Sequence, residues 1–254
     1  MYKENLDILQ EFKQIDLVTA NTVKLFRRID LKFIFKKIYL SDLLSVLSKQ
    51  FHILQVDGVV EQKYESVYFD TPNFASYLAH HRGELPRDKY RIRKYLDSNS
   101  QFAENKTRNN RDITFKKRKE IKGAFDEKQF ESLIDGDLTL EEKLTVKYTR
   151  VALINLNTQE RISIDYAIEA SNEGLVKELG DLCIVELKQE SLNLSKALGL
   201  LKGLAFLNYT SISKYCYACN LIFPELKANL FKERNRVINH IVFGMDETRN
   251  TSNF

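Results

Sequence analysis

Cysteine, proline, glycine and long apolar runs are all scarce in this chain. Three cysteines among 254 residues cannot build a disulfide framework and suit a reducing compartment. Cys216 and Cys219 form a CxxC, but a zinc site needs four ligands and no second pair exists, so they read as packing residues on a helix. Three prolines and nine glycines leave no Pro- or Gly-rich linker. The sequence therefore reads as one domain over 1–244, followed by a disordered tail, 245–254. No apolar stretch reaches the ~18 residues of a membrane span, and the N-terminal MYKENLDILQEFKQ has no hydrophobic signal region. Both absences point to the cytoplasm. A P-loop signature is missing, so any nucleotide must be held by side chains. No Ser-His-Asp arrangement is legible, and His80 and His81, adjacent on a helix, face different ways. Net charge is only +4, so any strongly basic surface must be local.

It is local, and it lies on strands. Side chains alternate between the two faces of a strand. From Asp88 to Glu120 the chain reads as three successive strands. Lys89, Arg91 and Arg93 share one face of the first, with Tyr90 and Ile92 on the other. Glu104 and Lys106 share a face of the second, and Lys116 and Arg118 a face of the third, opposite Ile113 and Phe115. FRRIDLKFIF (26–35) alternates the same way, with Arg28, Asp30 and Lys32 against Ile29, Leu31, Phe33 and Phe35. Further strands are expected at 64–72, 146–154, 159–168 and 181–189. Their charged faces carry Tyr148 and Arg150, then Arg161, Ser163 and Asp165 (opposite Ile162, Ile164, Tyr166 and Ile168), then Glu186 and Lys188.

Helices fill the intervals. Leu6, Leu9, Phe12 and Ile15 predict an amphipathic helix over 4–18. Ser41 is the expected cap of a helix to about Lys49, and a short helix over 73–81, with Asn73 near its cap, is expected to end at Gly83. Surface helices are expected at 126–134 and 140–144, and the pattern is helical from about 195, with a last helix at 225–243.

Like charges facing each other across a sheet are destabilising. Solvated strand faces are usually rich in Thr, Ser and Gln, whereas these are dense in Arg and Lys. One arrangement leaves the charged faces outside, in water. The other is an α+β fold built on a closed antiparallel β-barrel of about eight strands, charged faces inward, with peripheral and C-terminal helices. Cations in such a lumen are too costly to bury unpaired. They would need a polyanion, held bidentately by Arg and as point charges by Lys.

At Arg28-x-Asp30-x-Lys32-Phe33, Tyr68-Phe69-Asp70, Arg91-x-Arg93, Phe102-x-Glu104-x-Lys106, Lys116-x-Arg118, Tyr148-x-Arg150, Arg161 to Asp165, Val185-Glu186-Leu187-Lys188 and Ser213-Lys214-Tyr215, the chain resembles the VTC (vacuolar transporter chaperone) catalytic domain. That family comprises polyphosphate polymerases of the triphosphate tunnel metalloenzyme (CYTH-like) superfamily. The resemblance covers about 24–220. It implies that Lys32, Arg91, Arg93, Lys106, Lys116, Arg150, Arg161 and Lys214 line a tunnel as catalytic residues, with Arg28, Lys89, Arg118 and Lys188 as further substrate contacts. It implies Mn²⁺ or Mg²⁺ at Glu186, with Asp165, Glu104 and Asp30 as weaker metal candidates. The first motif usually has Glu where this chain has Asp30.

The partners implied are ATP and inorganic polyphosphate, with no nucleic acid and no membrane span. Two rival activities fit the same residues: a tunnel triphosphatase using water as nucleophile, and a non-catalytic polyanion-binding module. Stacking aromatics mark nucleic-acid binders; here Tyr90, Phe115 and Tyr166 fall on the apolar side, leaving Tyr95 and Tyr148 on the charged one. Tyr68 and Asp70 share one face of the strand at 64–72 and read as a structural turn anchor.

Overall fold

The computed structural model describes residues 7–23, 29–111, 113–123, 130, 133, 138–190 and 195–244. Arg28, most of the expected helix 126–134 and the tail 245–254 lie outside the described residues. Twelve strands form one sheet: β1 (Gln14–Ile15), β2 (Ile29–Lys36), β3 (His52–Leu54), β4 (Gln62–Asp70), β5 (Tyr90–Tyr95), β6 (Ser100–Arg108), β7 (Thr114–Glu120), β8 (Glu141–Asn155), β9 (Glu160–Asn172), β10 (Leu175–Glu178), β11 (Leu182–Gln189) and β12 (Asn208–Tyr209). The helices are α1 (Leu17–Ala20), α2 (Leu40–Ser48), α3 (Ala75–Arg82), α4 (Lys196–Gly203), α5 (Lys214–Ile222) and α6 (Lys232–Phe243).

The main path runs β12-β2-β11-β9-β8-β4-β5-β6-β7; β3 continues along β8 beyond β4, and β10 folds back on β9. Every ladder is antiparallel except β1–β3. The expected closed barrel of about eight strands is therefore wrong on both counts. Among the described residues twelve strands are present, and no ladder joins β7 to the other end. The reason lies at the edge of β2. Asn208 and Tyr209 pair with Ile34 and Phe33, and the Thr210 amide donates to the Lys32 carbonyl (2.9 Å), so that edge is already taken. The sheet nevertheless curls until its ends meet, since Lys106 on β6 reaches Asp30 on β2 at 3.9 Å.

Three of the four apolar clusters among the described residues hold the curl. Outside, Phe33, Phe35, Val151, Leu153, Ile162, Ile164, Val185 and Leu187 pack under α2 and α4. All four core leucines of α2 (Leu40, Leu43, Leu44 and Leu47) are buried, each worth roughly 1.5–3 kcal/mol. Also outside, Val67, Phe69, Tyr90 and Ile92 pack with Phe130 and Leu133. The third cluster is inside, at one end: Ile34, Tyr68, Leu144, Val146, Ile168, Ala170 and Ile184 meet α5 and α6. Helix α5 thus plugs one end of a trough whose remaining inner surface is mostly polar and charged.

Local outcomes differ from expectation for identifiable reasons. Residues 4–18 do not form one helix: Asp7–Glu11 is a 3-10 turn, Gln14–Ile15 pairs with β3, and Asp16 caps α1 through the Thr19 amide (2.7 Å). Ser41 lies inside α2, which a 3-10 turn at Lys37–Tyr39 leads into. Asn73 lies near the cap of α3, as expected, while Phe74 occupies the cap position and the Asp70 carboxylate takes the Ser76 and Tyr77 amides (2.8 and 2.9 Å). Gly83 does end α3, in the left-handed conformation. The segment 140–144 is strand, not helix, from Glu141 onward. Ala167 has φ +48° at a register shift between β8 and β9, and this bulge turns Ile168 to the inner face, away from Ile162 and Ile164.

Candidate functional site

Directly opposed residues of an antiparallel pair project on the same side of the sheet. Following those pairs across the strands traces one continuous row inside the trough. Asp30 and Lys32 on β2 oppose Lys188 and Glu186 on β11. Glu186 and Lys188 oppose Ser163 and Arg161 on β9, and Asp165 opposes Arg150 on β8. Tyr148 faces Tyr64 on β4, where Ser66 and Tyr68 face Arg93 and Arg91 on β5. Arg91 opposes Glu104 on β6, and Glu104 and Lys106 oppose Arg118 and Lys116 on β7. Lys89 joins the row through reciprocal backbone bonds with Lys106, each 3.0 Å. Helix α5 adds Lys214 from above the plugged end. The charged residues expected at the site thus converge on one surface, apart from Arg28, which lies outside the described residues.

Carboxylates organise the cations in three groups. Glu104 is 1% exposed and takes both Nε and Nη2 of Arg91 (2.8 and 2.6 Å), with Lys116 at 2.6 Å, Arg118 at 3.5 Å and Arg93 at 4.0 Å. Burial opposes its ionisation, but Arg91, Arg93 and Lys116 outweigh that and hold the carboxyl well below the usual range. Asp165 is bracketed by Arg150, bidentate at 2.5 and 2.7 Å, and by the Lys214 ammonium. Burial again opposes ionisation, and the same two cations reverse it. Glu186 has Lys188 at 3.1 Å. Its burial is overridden by Lys188, Lys32, Arg150 and Lys106, so it too stays ionised.

At the seam between the sheet's ends, the Lys89 ammonium donates to Ser213 Oγ and that of Lys32 to the Ile212 carbonyl, both at 2.9 Å. Desolvation, with Lys32 and Lys106 close by, brings Lys89 down to about 7. Desolvation brings Lys116 down to about 8 against the pull of Glu104. At the opposite end Arg161 donates to the carbonyls of Ala20 and Val23, which ties the chain just after α1 to β9. Two hydroxyls of the row, Ser66 Oγ and Ser163 Oγ, are buried with no hydrogen-bond partner among the described residues.

The row also contains aromatics. Tyr95 and Tyr148 were expected there; Tyr64 and Phe102 were not. Tyr64 stacks on Tyr148 with centroids 5.2 Å apart and planes 2° from parallel. Arg93 and Arg150 lie over Tyr64, Lys214 lies over Tyr148, and Arg118 lies 3.5 Å from the Phe102 centroid. Both missed residues share strand parity with recognised ones, Tyr64 with Tyr68 and Phe102 with Glu104. That parity was the available signal.

Signals set aside as packing sit in packing environments. Cys183, Cys216 and Cys219 are free and buried, and His81 accepts the Leu230 amide (3.1 Å). No three His, Cys, Asp or Glu side chains group to hold a metal among the described residues, nor is any helix there long and apolar enough to cross a membrane. A metal held by protein alone therefore has no cage here. One held largely by phosphate oxygens, as Mg²⁺ commonly is, needs only a carboxylate or two; Asp30 and Glu186 lie on the paired strands β2 and β11 of the row.

The VTC domain matches this chain over residues 27–223. No match is found among curated proteins. Among solved structures, the chain is similar to a candidate adenylate cyclase from Bacillus halodurans (15% identity, TM-score 0.49, covering 78% of this chain and 97% of that one). It is similar also to a protein from Hippeastrum described by its dominant triphosphatase activity (16%, 0.48, 77% and 97%). The PH1819 protein from Pyrococcus horikoshii is a third (16%, 0.45, 74% and 96%).

Proposed function

The chain belongs to the VTC domain family, and on that premise we propose that it is an ATP-dependent polyphosphate polymerase. The observation that carries the reading is the in-register row of Lys32, Arg91, Arg93, Lys106, Lys116, Arg118, Arg150 and Lys188, joined by Lys214 of α5, with few carboxylates among them, along the inside of a trough. A surface so charged is complementary to a linear polyanion with one negative charge or more per phosphorus. Ser66 and Ser163 supply neutral donors within the same row.

The reaction is in-line phosphoryl transfer. An oxygen of the terminal phosphate of a polyphosphate chain bonds to the γ-phosphorus of ATP, the bond from that phosphorus to the β-bridging oxygen breaks, and ADP leaves with the electron pair. The attacking oxygen is already ionised, so no general base is required, and positioning with charge neutralisation supplies the catalysis. Arg91, Arg93 and Arg150 offer guanidinium forks, while Lys32, Lys116 and Lys214 act as point charges. Glu104 and Asp165 fix the directions of those forks before substrate arrives, which lowers the reorganisation needed on binding. Glu186, with Asp30, would hold the Mn²⁺ or Mg²⁺ that neutralises phosphate oxygens. Arg161, held by two backbone carbonyls, serves mainly to keep the segment after α1 in place.

The test is incubation of the purified protein with ATP and Mn²⁺, following ADP, free phosphate and polyphosphate separately. ADP with matching polyphosphate supports the polymerase. ADP with equal free phosphate makes it a triphosphatase in the same trough, and polyphosphate binding without turnover makes it a binding module. Glu186→Gln is expected to lower metal-dependent turnover about 100-fold or more, the scale of losing one preorganised charge; full turnover in that variant would remove Glu186 from the metal assignment.

A further inference from the structure

Two of the sequence motifs, Tyr68-Phe69-Asp70 on β4 and Ser213-Lys214-Tyr215 at the start of α5, lie 143 positions apart and have no assigned relation. In the structure they grip one another. The Tyr215 hydroxyl donates to Asp70 Oδ2 at 2.6 Å, and its ring stacks on Tyr68 at 5.1 Å and 25°. Asp70 is wholly buried and accepts three backbone amides as well, from Thr71, Ser76 and Tyr77. It is thus fixed to β4 and to the first turn of α3 before Tyr215 reaches it. Tyr215 is 2% exposed, so its hydroxyl has no water to turn to if Asp70 is lost.

The residues on either side of this grip carry the polar contacts. Ser213 caps α5 through the Cys216 amide and accepts the Lys89 ammonium. Lys214 reaches Asp165 and lies 4.6 Å above the Tyr148 ring. One peptide unit therefore separates a deeply buried anchor from a cation that enters the row. A lysine has four rotatable side-chain bonds and would otherwise sample many positions. Fixing its Cα through Tyr215 narrows that set.

We propose that Tyr68 and Asp70 are positioning residues: together they seat Tyr215, and through it they aim Lys214 into the phosphate-binding row. The inference deepens the polyphosphate reading and rests on it. Asp70 is wholly buried and Tyr68 is 5% exposed, so both act through Lys214.

A double-mutant cycle on tripolyphosphate binding tests this. Tyr215→Phe keeps the ring and its stack but removes the donor to Asp70. It is expected to weaken tripolyphosphate binding about tenfold in the otherwise unchanged protein, the scale of a hydrogen bond to a charged group, and less than twofold in the Lys214→Ala background. If the two losses multiply, Tyr215 does not act through Lys214 and the proposal fails. If Tyr215→Phe does not fold, the cycle is run with Tyr68→Leu, which removes the stack and leaves the Asp70 bond, with the same criterion. Absence of tripolyphosphate binding by the unaltered protein would sink the phosphate-row reading and this inference with it. Binding with multiplying losses would sink the inference alone.

Discussion

Replacing Glu104 by Gln removes one negative charge from the middle of four cations without changing side-chain volume. Its carboxylate is 1% exposed, whereas Arg91, Lys116 and Arg118 are 22%, 41% and 38% exposed. Removing one partner of a fully buried pair costs roughly 3–5 kcal/mol. Because water reaches these cations, that figure must be discounted, and about 2–3 kcal/mol remains. For a chain of this size each kcal/mol moves Tm by roughly 2–4 °C, so at pH 7 and low salt the variant is expected to melt about 4–12 °C lower. The sign with pH follows from the depressed carboxyl. The stabilisation is complete above the ordinary carboxylate range and is lost progressively as pH falls from that range toward the folded-state value, so the gap starts to narrow in mild acid and closes only in strong acid. Scanning calorimetry with and without sodium tripolyphosphate gives a second readout. The anion should raise Tm more in Glu104→Gln than in the unaltered protein, because the cations it meets are no longer neutralised. A melting point within about 1 °C of the parent at low salt would refute the reasoning.

Two further outcomes are expected. With Lys89 near 7 and Lys116 near 8, both are partly deprotonated at pH 7.5. An arriving polyanion favours their charged forms, so tripolyphosphate binding should be accompanied by uptake of as much as about one proton from solvent, summed over the two lysines. Calorimetry in buffers of different ionisation enthalpy measures this, and Lys89→Met should lower the uptake. Affinity should likewise fall as pH rises through this range. Separately, Arg161→Ala should free the segment after α1 at a cost of about 2 kcal/mol, the scale of hydrogen bonds to a charged group. Faster amide exchange at Asn21 and Val23 would report it, and unchanged exchange there would return Arg161 to the phosphate row.

Much of the row was legible because strand parity is a local property. Arg91 and Arg93, or Glu186 and Lys188, share a face whatever the strand pairs with. What parity cannot supply is the pairing itself. Nothing in VKYTRVALI says that Arg150 will meet Asp165, or that Lys214, fifty residues further on, will reach the same carboxylate. Parity also breaks at a bulge, and Ala167 carries no signal strong enough to have placed Ile168 inside. The helix expected at 140–144 failed for a related reason. LEEKL has good helix formers, but Leu144 pairs with Tyr68 inside the trough, and that tertiary contact overrode local propensity. Closure of the barrel was a deduction from the cost of bare edges. The edge of β2 is covered instead by two residues of β12, too short a strand to stand out in a sequence.

The open seam bears on how a long molecule gets in. A ring closed by backbone hydrogen bonds can be entered only by threading from an end, which becomes slow once a chain is many units long. Here the contacts spanning the seam include Lys89 with Ser213 and Lys106 with Asp30. Side-chain contacts of that kind part and reform without unzipping a ladder. On the polyphosphate reading, the trough would act as a clasp rather than a bead: a polymer could be laid in sideways at any point along its length, and a finished one lifted out the same way.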